Sequence, residues 1–113
     1  MNDLIRPELY DSWHDIEVIR NGKPVTAADS ATEEISVVGN ICESGDIVAK
    51  ERVLPVINEG DLVCVLDAGA YGYSMSSNYN MRLRPAEVLV RSDGSHALIR
   101  RRDTYEDLLD RFW

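Results

Sequence analysis

A thiol and a carboxylate stand side by side in Cys42-Glu43-Ser44-Gly45-Asp46, a polar, glycine-containing turn where a side chain is freer to act than to pack. Gly69-Ala70-Tyr71-Gly72 and Ser76-Ser77-Asn78-Tyr79-Asn80 follow downstream. Their small residues permit close backbone approach to a ligand, and tyrosine hydroxyls can reach phosphate oxygens. Arg6 precedes Tyr10 by four residues, one helical turn, so both can point to the same side. A guanidinium with a phenol recognises a carboxylate well, because Arg offers a planar fork of donors. Together these groups read as half of an active site: a proton donor or acceptor at Cys42 and a polar clamp around it. Each also has a plainer reading. Cys42 is then incidental, Glu43 and Arg6 are surface charges, and Tyr10 is packed.

The other reactive side chains carry less. Cys64 lies inside Leu62-Val63-Cys64-Val65-Leu66, a continuous apolar run, and reads as a core residue. The spacing of the two cysteines fits no zinc pattern, and both read as free thiols. His14 and His96 are far apart with no metal-ligand spacing, so no metal site is expected. The glycines match no phosphate-binding fingerprint.

The elements that must position these groups are mostly strands. Pro7 to Ile16 predicts a short helix with Pro7 in its first turn. Asp15 to Arg20 alternates into a strand ending at the turn Asn21-Gly22-Lys23-Pro24, and residues 26 to 34 read as loop. Ile35 to Ile41 is a β-branched strand in which Gly39 marks a bulge. After the turn Asn58-Glu59-Gly60-Asp61, the run from Leu62 to Leu66 reads as a strand buried on both faces. Ala86 to Val90 and Ala97 to Arg100 flank Ser92-Asp93-Gly94-Ser95 as a hairpin. Asp103 and Glu106 then predict a capping box for a last helix whose Tyr105, Leu108, Leu109 and Phe112 share one face. The expected fold is mainly β, a small Greek-key-like β-barrel or sandwich with short helices and a C-terminal helix.

Composition sets the bounds. The 113 residues suit one domain, and 44% apolar with 28% charged residues is ordinary for a soluble globular chain. A formal charge of −8 argues against nucleic acid and anionic membranes as partners. Arg100-Arg101-Arg102 is the one basic cluster, and its acidic surroundings predict local ion pairs. No apolar run approaches the roughly 20 residues that span a bilayer, and no secretory signal opens the chain. A cytoplasmic protein is expected.

Met1 to Tyr10, Val38 to Asp46, Asp67 to Gly72, and Ser76 to Asn80 followed by Arg84-Pro85-Ala86-Glu87-Val88-Leu89 resemble the C-terminal part of the diaminopimelate decarboxylases, in order and nearly end to end. The resemblance implies a pyridoxal 5'-phosphate enzyme of the fold type shared with alanine racemase (fold type III). Such an enzyme converts meso-2,6-diaminopimelate to L-lysine and carbon dioxide in lysine biosynthesis. It has an N-terminal α/β barrel carrying the Schiff-base lysine and a C-terminal β-barrel domain, to which residues 1–113 correspond.

Carried over position by position, Arg6 and Tyr10 match the pair that binds the substrate's distal carboxylate. Cys42 matches the residue that reprotonates the α-carbon, and Glu43 the carboxylate that grips the distal ammonium. Tyr71 matches a tyrosine touching substrate and cofactor. The family's Cys and Glu serve the partner subunit's active site, which implies a homodimer. Asn40 departs from the family's Pro, and Trp13 from its more usual Tyr. Only Lys23, in a turn, and Lys50, among charges, are available here, and neither suits a Schiff-base lysine, which wants a desolvated pocket. The chain alone is therefore expected neither to hold the cofactor tightly nor to decarboxylate. The family's β-domain also takes a segment from upstream of the α/β barrel, whose loss predicts an unpaired strand edge and self-association. Two other readings stand beside this one. The first is a related ornithine, arginine or carboxynorspermidine decarboxylase domain, and the second is a non-catalytic β-domain used for binding or dimerisation.

Overall fold

The computed structural model describes residues 3–112, so Met1 and Asn2 of the first motif, and Trp113, lie outside the described residues. The elements in chain order are α1 (Arg6–Tyr10), β1 (Ile16–Arg20), β2 (Lys23–Val25), β3 (Thr32–Val38), β4 (Ile47–Pro55) and β5 (Leu62–Val65), then α2 (Gly72–Met75), a 3-10 turn (Tyr79–Met81), β6 (Glu87–Val90), β7 (His96–Arg100) and α3 (Tyr105–Leu109). They form a three-stranded sheet in the order β2-β1-β5 and two antiparallel pairs, β3-β4 and β6-β7. The mainly-sheet expectation holds. Among the described residues, however, the three sheets do not join into a closed barrel.

The first hairpin follows from two residues. Arg20 faces Lys23 in register, leaving Asn21 and Gly22 as the loop. Both have positive φ, 52° and 74°, the backbone of the turn that matches strand twist. Pro24 then sits in β2, an edge strand, where its missing N–H costs nothing. Helix α1 is shorter than predicted: Asp11 adopts a left-handed φ of 53° and its N–H closes on the Arg6 carbonyl, ending the helix.

Strand β3 starts inside the stretch expected to be loop, and its partner β4 has no counterpart in the sequence reading. The register explains why. The ladder slips between Ile35 and Val37 and again between Val37 and Val38, each time with an extra residue on β4. Glu51, at φ 48°, donates its N–H to Ser36 Oγ at the first slip. The bulge is therefore on β4 and not at Gly39. It breaks the period-two pattern so that Val48 and Ala49 are buried consecutively, followed by Arg52 and Leu54.

The core is small, made of Leu4, Val18, Val48, Ala49 and Leu54. The apolar run at β5 is not buried on both faces: Leu62 is 65% exposed, and Cys64 is half-buried. The strand pairs with β1 on one side alone. At the far end of β1, Arg20 Nε and Nη2 donate to both Asp61 oxygens at 2.9 and 2.7 Å, and Nη2 also to the Val56 carbonyl at 2.9 Å. This fork, with the Asn58 N–H, holds the Asp61 carboxyl below the usual carboxylate range. A carboxyl lowered by folding stabilises fully above its unfolded value, about pH 4, and loses that contribution as pH falls through the folded value. Below about pH 4 the urea midpoint is expected to fall more steeply in the parent chain than in Asp61→Asn. Parallel slopes would show that the pair does not couple folding to pH.

Hairpin β6-β7 matches the sequence reading. The capping box of α3 is Thr104 with Asp107, one residue later than Asp103 with Glu106. Asp107 also takes two donors from Arg101 at 2.6 Å, and that guanidinium foremost pulls its carboxyl far below the ordinary range. Arg100 pairs with Glu87 at 3.1 Å, so Arg100 and Arg101 of the basic cluster take local partners as expected. The helix stops at Leu109, and Tyr105, Leu109 and Phe112 remain exposed instead of covering a core.

Candidate functional site

Cys42 lies in the loop of the β3-β4 hairpin, and the loop is built around a buried carboxylate that the sequence reading missed. Asp46 is 5% exposed; its Oδ2 accepts the Ile41 N–H at 2.9 Å. Its own N–H donates to the Glu43 carbonyl, and its carbonyl accepts the Gly39 N–H, both at 2.9 Å. A Cβ on Gly39 would collide with the Asp46 carboxylate, so glycine is required there by space and not by dihedral angle. Gly39 and Asp46 together fold the loop back on itself and leave Cys42 exposed.

Glu43 is half-buried and turned into the same loop, its Oε1 accepting the Gly45 N–H at 3.1 Å and the Ser44 hydroxyl at 3.3 Å. Helix α1 stands beside the loop: a Cβ on Gly45 would lie 4.0 Å from Glu8 Cγ. Glu8 also takes the Lys50 ammonium at 2.7 Å. Lys50 is thus an exposed, ion-paired residue, and Lys23 lies exposed beside the first hairpin turn.

Arg6 and Tyr10 occupy the two ends of α1, Arg6 half-buried and Tyr10 exposed. The Arg6 guanidinium lies over the Tyr71 ring, 5.0 Å from its centroid. Tyr71 is itself exposed and held at φ 62°, a rare conformation for a bulky residue. Neither Gly69 nor Gly72 has anything within 4 Å of the place a Cβ would take, so the backbone around Tyr71 is open to a ligand.

Asn80 completes the second contact: its Nδ2 lies 3.4 Å from Cys42 Sγ, across 38 residues of sequence. The structure therefore joins Arg6 to Tyr71 and Cys42 to Asn80, with Glu43 in the Cys42 loop and Tyr10 on the Arg6 helix. The hydrogen bonds, ion pairs and ring contacts of the described residues do not link one pair to the other. Arg84 fixes the segment that carries Asn80. It donates to Ser76 Oγ and Asn78 Oδ1, both at 2.6 Å, while its backbone N–H reaches Asp103 at 3.1 Å. Nothing in the order of residues from Ser76 to Arg84 announces that clamp. An open groove of about 1160 Å³ runs between this segment and α3, lined by Tyr73, Arg84, Arg100 and Phe112 among others, and the five candidate residues do not line it.

Comparison with known proteins gives these contacts a context. The family described as pyridoxal-dependent decarboxylase, C-terminal sheet domain, matches residues 1–69. Diaminopimelate decarboxylase of Methanothermobacter thermautotrophicus is 51% identical over 108 residues, 96% of this chain and 24% of the relative. The enzyme of Pseudomonas aeruginosa is 50% identical over the same shares. The crystal structure of diaminopimelate decarboxylase from Helicobacter pylori complexed with L-lysine superposes with a TM-score of 0.82 at 37% identity, covering 97% of this chain and 25% of that one. The chain thus spans about a quarter of the length of the proteins it matches.

Proposed function

The chain belongs to the C-terminal sheet domain family of pyridoxal-dependent decarboxylases, and from that premise we propose that its 113 residues form one domain of a diaminopimelate decarboxylase. The observation that carries this is Cys42, an exposed thiol held out at a hairpin tip by the Gly39–Asp46 packing. Its task is to supply the proton that replaces carbon dioxide in converting meso-diaminopimelate to L-lysine. L-lysine is the ligand named in two solved relatives.

Pyridoxal phosphate, when bound, supplies an electron sink for the carbanion left by decarboxylation. This chain offers it an edge: the exposed Tyr71 hydroxyl beside the open backbone of Gly69 and Gly72. Its covalent anchor is assigned to a lysine of an N-terminal α/β-barrel domain, because Lys23 and Lys50 are solvent-facing.

The residues divide the work. Arg6 and Tyr10 hold the distal carboxylate, the guanidinium as a two-donor fork. Glu43 grips the distal ammonium, exchanging the loop donors it now accepts. When the C–C bond to carbon dioxide breaks, its electron pair stays on the α-carbon. The Cys42 S–H then gives its proton to that carbon, leaving a thiolate that regains a proton from water. A substrate without the distal carboxylate leaves Arg6 unpaired, which separates this reaction from ornithine or arginine decarboxylation.

Cys42 and Glu43 are proposed to serve the active site of a second copy, which makes the working unit a homodimer. Large exposed apolar residues, among them Leu62, Val90, Leu98 and Phe112, fit burial against other polypeptide. Sedimentation of the chain at high concentration should therefore give a dimer or larger species, and a clean monomer counts against the assignment. Among the described residues no helix is long and apolar enough to cross a membrane. The net charge of −8 disfavours nucleic acid and anionic membrane surfaces as partners, and a cytoplasmic location is part of the proposal.

The test is carbon dioxide release from meso-diaminopimelate, with pyridoxal phosphate, by this chain mixed with a separately produced family α/β barrel inactive on its own. Activity in the mixture supports the reading. Silence from domains shown to associate favours a non-catalytic module.

A further inference from the structure

We propose that Asn80 is the positioning residue for the Cys42 thiol: its side-chain amide donates to Sγ and steadies the sulfur as it gives up its proton. The inference rests on the role assigned to Cys42 above and adds a residue that role does not require. Two observations and one principle carry it. The Asn80 Nδ2 to Cys42 Sγ distance is 3.4 Å. An N–H donor strengthens when its acceptor becomes anionic, so the amide favours the thiolate that proton transfer leaves behind. The contact is also built deliberately by the backbone.

Asn80 sits at φ 57°, ψ 28°, and Met81 follows at φ 58°, so two consecutive residues take the left-handed conformation. Asn tolerates that region better than most residues. The strain is held from outside the turn. Asn78 Nδ2 donates to the Arg82 carbonyl at 2.8 Å, and its Oδ1 accepts from Arg84 at 2.6 Å. Arg84 is tied in turn to Ser76 and Asp103. A loop pinned on both sides of Asn80 aims its amide at a sulfur on another hairpin.

The experiment uses this chain and needs neither cofactor nor substrate. Iodoacetamide labelling at pH 8 is followed separately at Cys42 and Cys64 by peptide mass spectrometry. Asn80→Gly keeps the left-handed backbone and removes the amide. Asn80→Asp places a carboxylate against the sulfur. Cys42 labelling is expected to slow about threefold in the first and about tenfold in the second, with Cys64 unchanged. A merely structural Asn80 predicts unchanged or faster labelling, since Cys42 is already exposed and a loosened loop can only ease access to it. Unchanged or faster labelling in Asn80→Gly overturns the proposal, and so does slowing in Asn80→Asp alone. In an active mixture of domains, Asn80→Gly should lower kcat about tenfold with KM within about twofold. If Cys42→Ala leaves decarboxylation intact, the proton-donor role fails by itself, and the labelling result still reports whether the amide acts on the thiol.

Discussion

Cys42→Ala is expected to lower carbon dioxide release from the reconstituted mixture by a factor of about 10² to 10⁴, the usual worth of a positioned general acid. The loss should fall on kcat, because the substrate's distal groups are assigned to Arg6, Tyr10 and Glu43 and not to the sulfur. Cys42 is exposed, so removing its sulfur creates no cavity, and the free energy of urea unfolding should change by no more than about 0.5 kcal/mol. Cys42→Ser provides a graded control. The hydroxyl keeps the size of the group but is a far weaker acid, so its activity should sit close to that of alanine. Cys64→Ala supplies the opposite control, since Cys64 lies on β5, half-buried and paired to Glu17 of β1 in register. Its loss should affect stability before activity. A Cys42→Ala mixture retaining a third or more of parent activity would remove the thiol from the chemistry.

How much of this was legible in the sequence depends on the range of the interactions. Asn21-Gly22 announces its own hairpin because the left-handed backbone of that turn is a property of those two residues. The β6-β7 hairpin is likewise visible from its turn and its flanking apolar runs. The Cys42 loop is visible as a polar break between apolar stretches, but its architecture is not. The Asp46 carboxylate and the missing Cβ of Gly39 are complementary only once β3 and β4 are paired. Strand β4 was unreadable for a related reason: its two register slips destroy the period that marks a strand, and the contact at the first of them, Glu51 against Ser36, spans the hairpin.

The errors over burial have a different origin. Leu62 to Leu66 reads as core, and so does the apolar stripe of α3, yet both present large exposed side chains. The patterns are those of buried segments. The three open sheets leave them uncovered. At the site, the helical spacing of Arg6 and Tyr10 was readable, but the meeting of Arg6 with Tyr71 and of Cys42 with Asn80 was not. Those contacts depend on left-handed residues, and at Tyr71 no local propensity predicts that backbone.

Gly39→Ala tests whether the hairpin loop is held as described, and its expected effect on stability is the largest of any glycine-to-alanine change in this chain. The new Cβ falls on the Asp46 carboxylate, and that side chain has no easy retreat. Its Oδ2 is bound to the Ile41 N–H, and its backbone is bound to Glu43 on one side and to Gly39 on the other. Relief therefore means expelling a buried carboxylate or opening the hairpin end, at a cost of about 2–4 kcal/mol in urea unfolding. Asp46→Ala alone strands the Ile41 N–H and should cost about 1–3 kcal/mol. The double variant is the discriminating measurement. With the carboxylate gone, the added methyl has room, so the two losses should fall short of their sum by about 1–2 kcal/mol. Strict additivity would mean that Gly39 and Asp46 act independently, and the steric account of the loop would fail. If they are coupled, each single variant should also blunt decarboxylation, because the packing that excludes a methyl group is what holds Cys42 at the hairpin tip.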